Sequence, residues 1–176
     1  MASRLVLASA STFRKALLSN AGLAFDVEPA QIDERAVEQA LDGMDAEDIA
    51  LILAEAKAQE VSGRSPGALV IGSDQILEFE GRAFDKPASM DEARARLLEM
   101  AGAAHTLINA VTVARGGEIV FRHLDRPKLF VRPLAEKELD EYLDAAGPAI
   151  LASVGAYQVE SLGARLFEKI EGDYFA

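Results

Sequence analysis

The chain predicts an α/β fold: a bent, mixed β-sheet flanked by helices, with two lobes and a central cleft, in a single domain over residues 1–176. Short apolar runs alternate with stretches of helical periodicity, the pattern of strands covered by helices. Two turn-forming pairs, Glu80-Gly81 and Gly116-Gly117, stand between apolar runs and read as hairpins. Hairpins make antiparallel pairs, so the sheet must be mixed rather than purely parallel. The length suffices to bury a proper core.

In chain order, the strand-like runs are Leu5–Ala8, Phe25–Val27, Leu69–Gly72, Ile76–Phe79, Leu107–Ala114 and Glu118–Val131. Helices lie between them. Ile49, Ile52, Leu53 and Ala56 follow an i, i+3, i+4, i+7 stripe, with Asp45 placed to cap it. Ser89-Met90-Asp91-Glu92 is a capping box opening a helix with Ala93, Leu97 and Met100 on its inner face. Leu134–Leu143 forms another helix. The expected lobe boundaries are the Ser62–Gly67 loop and the Ala146-Gly147-Pro148 break.

The net charge of −11 and pI near 4.6 argue against nucleic acid as a partner, because such binding rests on clustered Lys and Arg. A small phosphorylated ligand stays open, since a few convergent cations and a divalent metal suffice for it. No apolar run approaches the ~20 residues of a membrane span. Met1-Ala2-Ser3-Arg4 lacks the apolar core of a signal peptide, and there is no cysteine. The expected location is the cytoplasm, with no membrane partner.

The first strand ends in Ala8-Ser9-Ala10-Ser11, and Arg14-Lys15 follow on a helix-like segment. Hydroxyls, free N–H groups of a first helical turn and two cations make a phosphate-binding turn. Ser11 as a plain N-cap is the alternative. Asp74, in Gly72-Ser73-Asp74-Gln75, closes a buried-looking strand; it either meets a cation or metal, or caps the next turn. Lys86 precedes Pro87 in a short loop after a hairpin. Lys57 borders the apolar stripe, from which it either snorkels to solvent or reaches inward to a phosphate.

Together these pieces resemble the Maf family of nucleoside triphosphate pyrophosphatases. The matching fragments are Ser9-x-Ser11-x-x-Arg14, Asp33-Glu34, Lys57 between two alanines, Gly72-Ser73-Asp74-Gln75 and Lys86-Pro87. Gly102 to His105, Gly155-Ala156-Tyr157 and Ile170-Glu171-Gly172-Asp173-Tyr174 continue the series in family order across essentially the whole chain. The resemblance implies a Maf/ITPase-like fold with the site in its cleft and hydrolysis between the α- and β-phosphates of a nucleoside triphosphate. It also hints at a homodimer. Ser9, Ser11, Arg14, Lys57 and Lys86 are the candidate phosphate cradle. Glu34 and Asp74 are candidate ligands for Mg²⁺ or Mn²⁺, and Asp74 matches the family's general base.

In the resemblance three positions face the nucleobase, here Phe13, Gln75 and Glu160. An aromatic, Gln and Glu resemble the branch acting on 7-methyl-GTP; the dTTP/UTP branch resembles Arg, Thr and Gln. N7-methylated guanine is a cation that favours an aromatic face, and its paired N1–H and N2–H donors suit a carboxylate. Phe13 could also anchor the first helix to the core through Leu17, four residues on. A nucleotide-binding regulator of cell division without turnover is the alternative from another class.

The chain departs from the family pattern at Ser153-Val154, at Asn109 and at Ser161, which replaces a glycine after the specificity Glu and narrows the approach of the base. Beyond Ala176 the family usually continues into a closing helix, so either the native chain runs on or this member lacks that helix. His105, in a turn, is expected to bond to backbone, and His123 to be structural; Tyr157 either lines the pocket or packs.

Overall fold

The computed structural model describes residues 4–173; Tyr174 of the last family fragment and the Met1-Ala2-Ser3 start lie outside them. The elements are β1 (Leu5–Leu7), α1 (Thr12–Asn20), β2 (Asp26–Val27), α2 (Glu34–Ala40), α3 (Ala46–Arg64), β3 (Leu69–Phe79), β4 (Arg82–Phe84) and α4 (Met90–Met100). Then come β5 (Ala104–Arg115), β6 (Glu118–Asp125), β7 (Lys128–Val131), α5 (Glu136–Ala146) and β8 (Phe167–Glu171), with 3₁₀ turns at Gly147–Ala152 and Leu162–Leu166. The expected mixed α/β architecture is present. The strands form one sheet in the order β2-β1-β3-β5-β7-β8, with β4 on β3 and β6 on β5. The β1 pairs are parallel and the β3–β4, β5–β7 and β7–β8 pairs antiparallel. Among the described residues, no helix is long and apolar enough to cross a membrane.

Both hairpins form where expected. Glu80 and Gly81 have φ of 51° and 73°, and Gly116 and Gly117 58° and 83°, the paired positive values of a turn that follows strand twist. Two expected strands, Leu69–Gly72 and Ile76–Phe79, are one: Ser73-Asp74-Gln75 stays extended within β3. Conversely, the Glu118–Val131 run breaks at Arg126-Pro127, because proline brings no ladder donor. β8 and the 3₁₀ turns carry no clear periodicity and were not expected.

The chain divides into two compact units, residues 4–74 with Asn109–Leu124, and Gln75–Ile108 with residues 125–173. The expected boundaries at Ser62–Gly67 and Ala146-Gly147-Pro148 are therefore wrong. Each division falls inside or at the end of a continuous strand, where no loop-forming composition marks it.

In the first unit β1 runs parallel to both β2 and β3, with α1 in the connection from β1 to β2 and α2 and α3 in the connection from β2 back to β3. α3 is capped by Asp45, whose Oδ1 accepts from the Asp48 N–H at 2.9 Å. Its buried stripe is Ala50, Leu53, Ala54, Lys57, Ala58 and Val61, rotated from the expected Ile49, Ile52, Leu53 and Ala56. Small residues win that face because Gly72 of β3 lies directly beneath. A Cβ there would collide with the Ala54 carbonyl oxygen and stand 2.8 Å from the Ala58 N and Cβ. Val6, Ala8, Val61, Ala68 and Val70 complete this core.

The second unit packs Leu77, Leu97, Met100, Leu129, Leu139 and Leu166 into a larger core. Ser89 Oγ accepts from the Glu92 N–H (3.2 Å), while Glu92 Oε2 accepts from the Ala88 N–H (2.9 Å), so the return arm of the capping box lands one residue early. His105 is in β5, not a turn, and bonds to a side chain rather than to backbone: its Nε2 lies 2.5 Å from the buried Tyr157 hydroxyl. Tyr157 thus packs, edge-on to Phe167.

Burial lowers the His105 pKa from 6.5 to about 4. The unfolded chain takes up this proton below pH 6.5 and the folded chain does not until about pH 4. Stability is therefore whole above pH 6.5 and lost as pH falls through that window, by on the order of 3 kcal/mol. Urea denaturation between pH 7 and 4 should show this slope flattened in His105→Gln; an unchanged slope would assign the effect elsewhere.

Candidate functional site

The site grows from the carboxyl ends of parallel strands. The Ala8 N–H donates to the Ile71 carbonyl at 2.8 Å, which sets the Ser9–Ser11 turn beside the stretch of β3 leading to Asp74. In order β2-β1-β3, the chain leaves β1 to one side and returns to β3 on the other. That is the crevice where open α/β sheets bind ligands.

Ser9 and Ser11 organise the turn. Ser9 Oγ accepts from the Ser11 N–H (3.2 Å) and from the Arg14 guanidinium (3.3 Å). Ser11 Oγ caps α1 by accepting from the Arg14 N–H at 3.4 Å, so the N-cap alternative describes its hydroxyl, within the same turn. Burial pushes the Arg14 guanidinium below its usual pKa, while the negative charges of Asp74 and Glu34 pull it back. Arg14 therefore feels both carboxylates. α1 buries no residue and Leu17 is 54% exposed, so a Phe13–Leu17 core anchor is not what the structure shows; Phe13 is half-buried.

Three charges meet at Lys57. Lys57 Nζ lies 2.6 Å from Asp74 Oδ1 and 2.7 Å from Glu34 Oε2. The lysine is buried from the middle of α3, and it points inward rather than snorkelling. Glu34 is presented by the first turn of α2, held by Asp33, whose Oδ1 accepts from the Ala36 N–H at 3.1 Å. The structure thus joins Ser9, Ser11 and Arg14 in one hydrogen-bonded turn, and Glu34, Lys57 and Asp74 in one ion-pair triad.

Gln75, Lys86 and Glu160 belong to the second unit. Gln75 is half-buried and, by strand alternation, on the opposite face of β3 from Asp74. Lys86 is exposed beside buried Pro87, and Glu160 is exposed ahead of the second 3₁₀ turn. Ser161 has φ −138°, so no glycine is required there. Gly163 is the constrained one: a Cβ would meet the Gln158 backbone at 2.7–2.8 Å or closer.

Among the described residues no group of three His, Cys, Asp or Glu side chains converges. Glu34 and Asp74 nonetheless share one cation position, filled by Lys57. Two carboxylates with phosphate oxygens and water is a donor set that suits Mg²⁺, so these residues fit the ion as a site completed by substrate.

Fold and site together define an α/β protein with cations, hydroxyls and carboxylates gathered where such folds hold anionic ligands. The chain belongs to the family described as Maf-like protein, whose model matches residues 4–176. It is 50% identical over 173 residues to a 7-methyl-GTP pyrophosphatase of Rhizobium meliloti, covering 97% of this chain and 87% of that one. It is likewise 50% identical over 177 residues to a 7-methyl-GTP pyrophosphatase of Brucella suis (99% and 89%). A nucleoside triphosphate pyrophosphatase of Nitrobacter winogradskyi is 50% identical over 171 residues (97% and 85%).

Proposed function

We propose that this chain is a nucleoside triphosphate pyrophosphatase that cleaves the α–β phosphate bond to give a monophosphate and pyrophosphate, with 7-methyl-GTP favoured. The names of its relatives support the activity. The observation that carries it here is the Glu34–Lys57–Asp74 triad, both of whose carboxylates act on the Arg14 guanidinium of the serine turn. Binding a nucleotide alone does not call for two carboxylates beside its phosphates.

Attack at phosphorus needs charge neutralised and a water held in line more than it needs covalent help. Arg14 and the first-turn N–H groups of α1 bind phosphate oxygens, with Lys86 as a further cation. Asp74 commits Oδ1 to Lys57 and keeps Oδ2 to orient the water and accept its proton. Glu34 and Asp74 would hold Mg²⁺ or Mn²⁺, which supplies Lewis-acid charge neutralisation at the phosphates. Arrival of the triphosphate frees the Lys57 ammonium to pair with it. For the base the reading rests on the family resemblance: Phe13 offers the aromatic face that suits a methylated, cationic base, Gln75 a polar group for its edge, and Glu160 a carboxylate matched to the N1–H and N2–H pair.

Pyrophosphate release from a nucleotide panel at saturating Mg²⁺ or Mn²⁺ tests this. 7-Methyl-GTP should turn over fastest. Preference for dTTP or UTP would move the chain to the pyrimidine branch, and tight binding without turnover would make it a regulator. Glu160→Gln should lower the 7-methyl-GTP to UTP ratio of kcat/KM about tenfold, since the amide offers one acceptor where the base presents two donors. An unchanged ratio removes Glu160 from the base pocket.

A further inference from the structure

The apolar stripe of α4 contains an arginine. Arg96 lies at i+3 from Ala93 and next to Leu97, and it is only 6% exposed. Its Nη1 donates to two carbonyls from distant segments, Asp85 and, at 2.6 Å, Val154. Nη2 pairs with Glu92 at 3.0 Å, and the guanidinium stands 5.0 Å from the Phe84 ring centroid. Its Nε is buried without a partner. An arginine kept in such a place costs desolvation that an apolar residue of similar volume would avoid. The two carbonyls it holds immediately precede Lys86, the further cation of the proposed chemistry, and the Gly155-Ala156-Tyr157 turn.

Both fragments are tightly determined. Lys86 sits between the held Asp85 carbonyl and Pro87, whose ring restricts the Lys86 backbone. The Ala88 N–H is fixed by Glu92, which also grips Arg96. On the other side Ala156 has φ +57°, a left-handed conformation unfavourable for alanine. It is held by the Tyr142 hydroxyl donating to its carbonyl at 3.2 Å and by the His105–Tyr157 bond. Arg96 joins the loop to that rigid turn.

We infer that Arg96 is a positioning residue for Lys86: it moors the Lys86 loop to the 154–157 turn so that the ammonium is presented in a set place. This rests on the proposed role of Lys86 toward the triphosphate. Without the guanidinium fork the Asp85 carbonyl loses its anchor and the lysine wanders. Misplacement by about 1 Å costs roughly 100-fold when the group acts on the transition state.

A double-mutant cycle on kcat for 7-methyl-GTP tests the inference. Arg96→Gln should lower kcat about 10- to 100-fold with KM changed less, and should cost under about 3-fold more in a Lys86→Ala background. Should Arg96→Gln not fold, as judged by circular dichroism, Glu92→Gln carries the cycle with a smaller loss that also disappears in Lys86→Ala. Losses that multiply undiminished in either cycle overturn the inference and leave the pyrophosphatase standing. Full turnover in Lys86→Ala instead removes Lys86 from the site, and the inference with it. Absence of turnover in the unmodified chain is the separate failure of the proposed function.

Discussion

Asp74→Asn should reduce pyrophosphate release by about 10²- to 10⁴-fold, the range over which a positioned general base contributes. The change keeps the shape of the side chain and removes its charge. The new amide would still offer an oxygen to Lys57, so the triad keeps its geometry, and Glu34 keeps Lys57 paired at 2.7 Å. What disappears is an acceptor for the water's proton and one of the two carboxylates that share the cation position. The loss should therefore appear in kcat, while affinity for a non-hydrolysable triphosphate changes far less. Thermal denaturation should confirm that the variant is folded. A kcat within about threefold of wild type would remove Asp74 from the reaction and with it the proposed mechanism.

Gly72→Ala should both destabilise the first unit and impair turnover. No backbone angle demands glycine here; space does. The new methyl would run into the Ala54 carbonyl and lie 2.8 Å from the Ala58 N and Cβ, so helix and strand must separate. Overpacking of this kind costs about 1–3 kcal/mol, more when backbone is the obstacle. Because α3 carries Lys57 and β3 carries Asp74, the separation falls on the 2.6 Å ion pair. The expected result is a lower denaturation midpoint together with a kcat deficit of about tenfold or more at temperatures where the variant is still folded. A stable variant with normal kcat would show that α3 can move off β3 without disturbing the site.

Most of the site's chemistry was legible in residue types. Ser9, Ser11, Arg14, Lys57 and Asp74 stand out from their local surroundings and Glu34 only through the family resemblance, and they do gather into a turn and a triad. The partners were less legible. Lys57 at a stripe edge could have turned outward, and only the closeness of α3 to Gly72 makes the inward path the short one. Arg96 escaped notice, although a cation flanked by Ala93, Leu97 and Met100 was the available sign. The unit boundaries were misplaced because they fall in strands, which are uniform in composition on either side.

Alternation of apolar runs with helical stripes, paired turn residues and capping side chains is local information, and it was enough for the α/β class, the hairpins and the caps on α1, α3 and α4. Which face of α3 is buried, which strands fuse or break, and which acid meets which base depend on residues tens of positions apart. Those outcomes come from long-range packing, where an absent Cβ at residue 72 or an arginine reaching two carbonyls outweighs any neighbour in the chain.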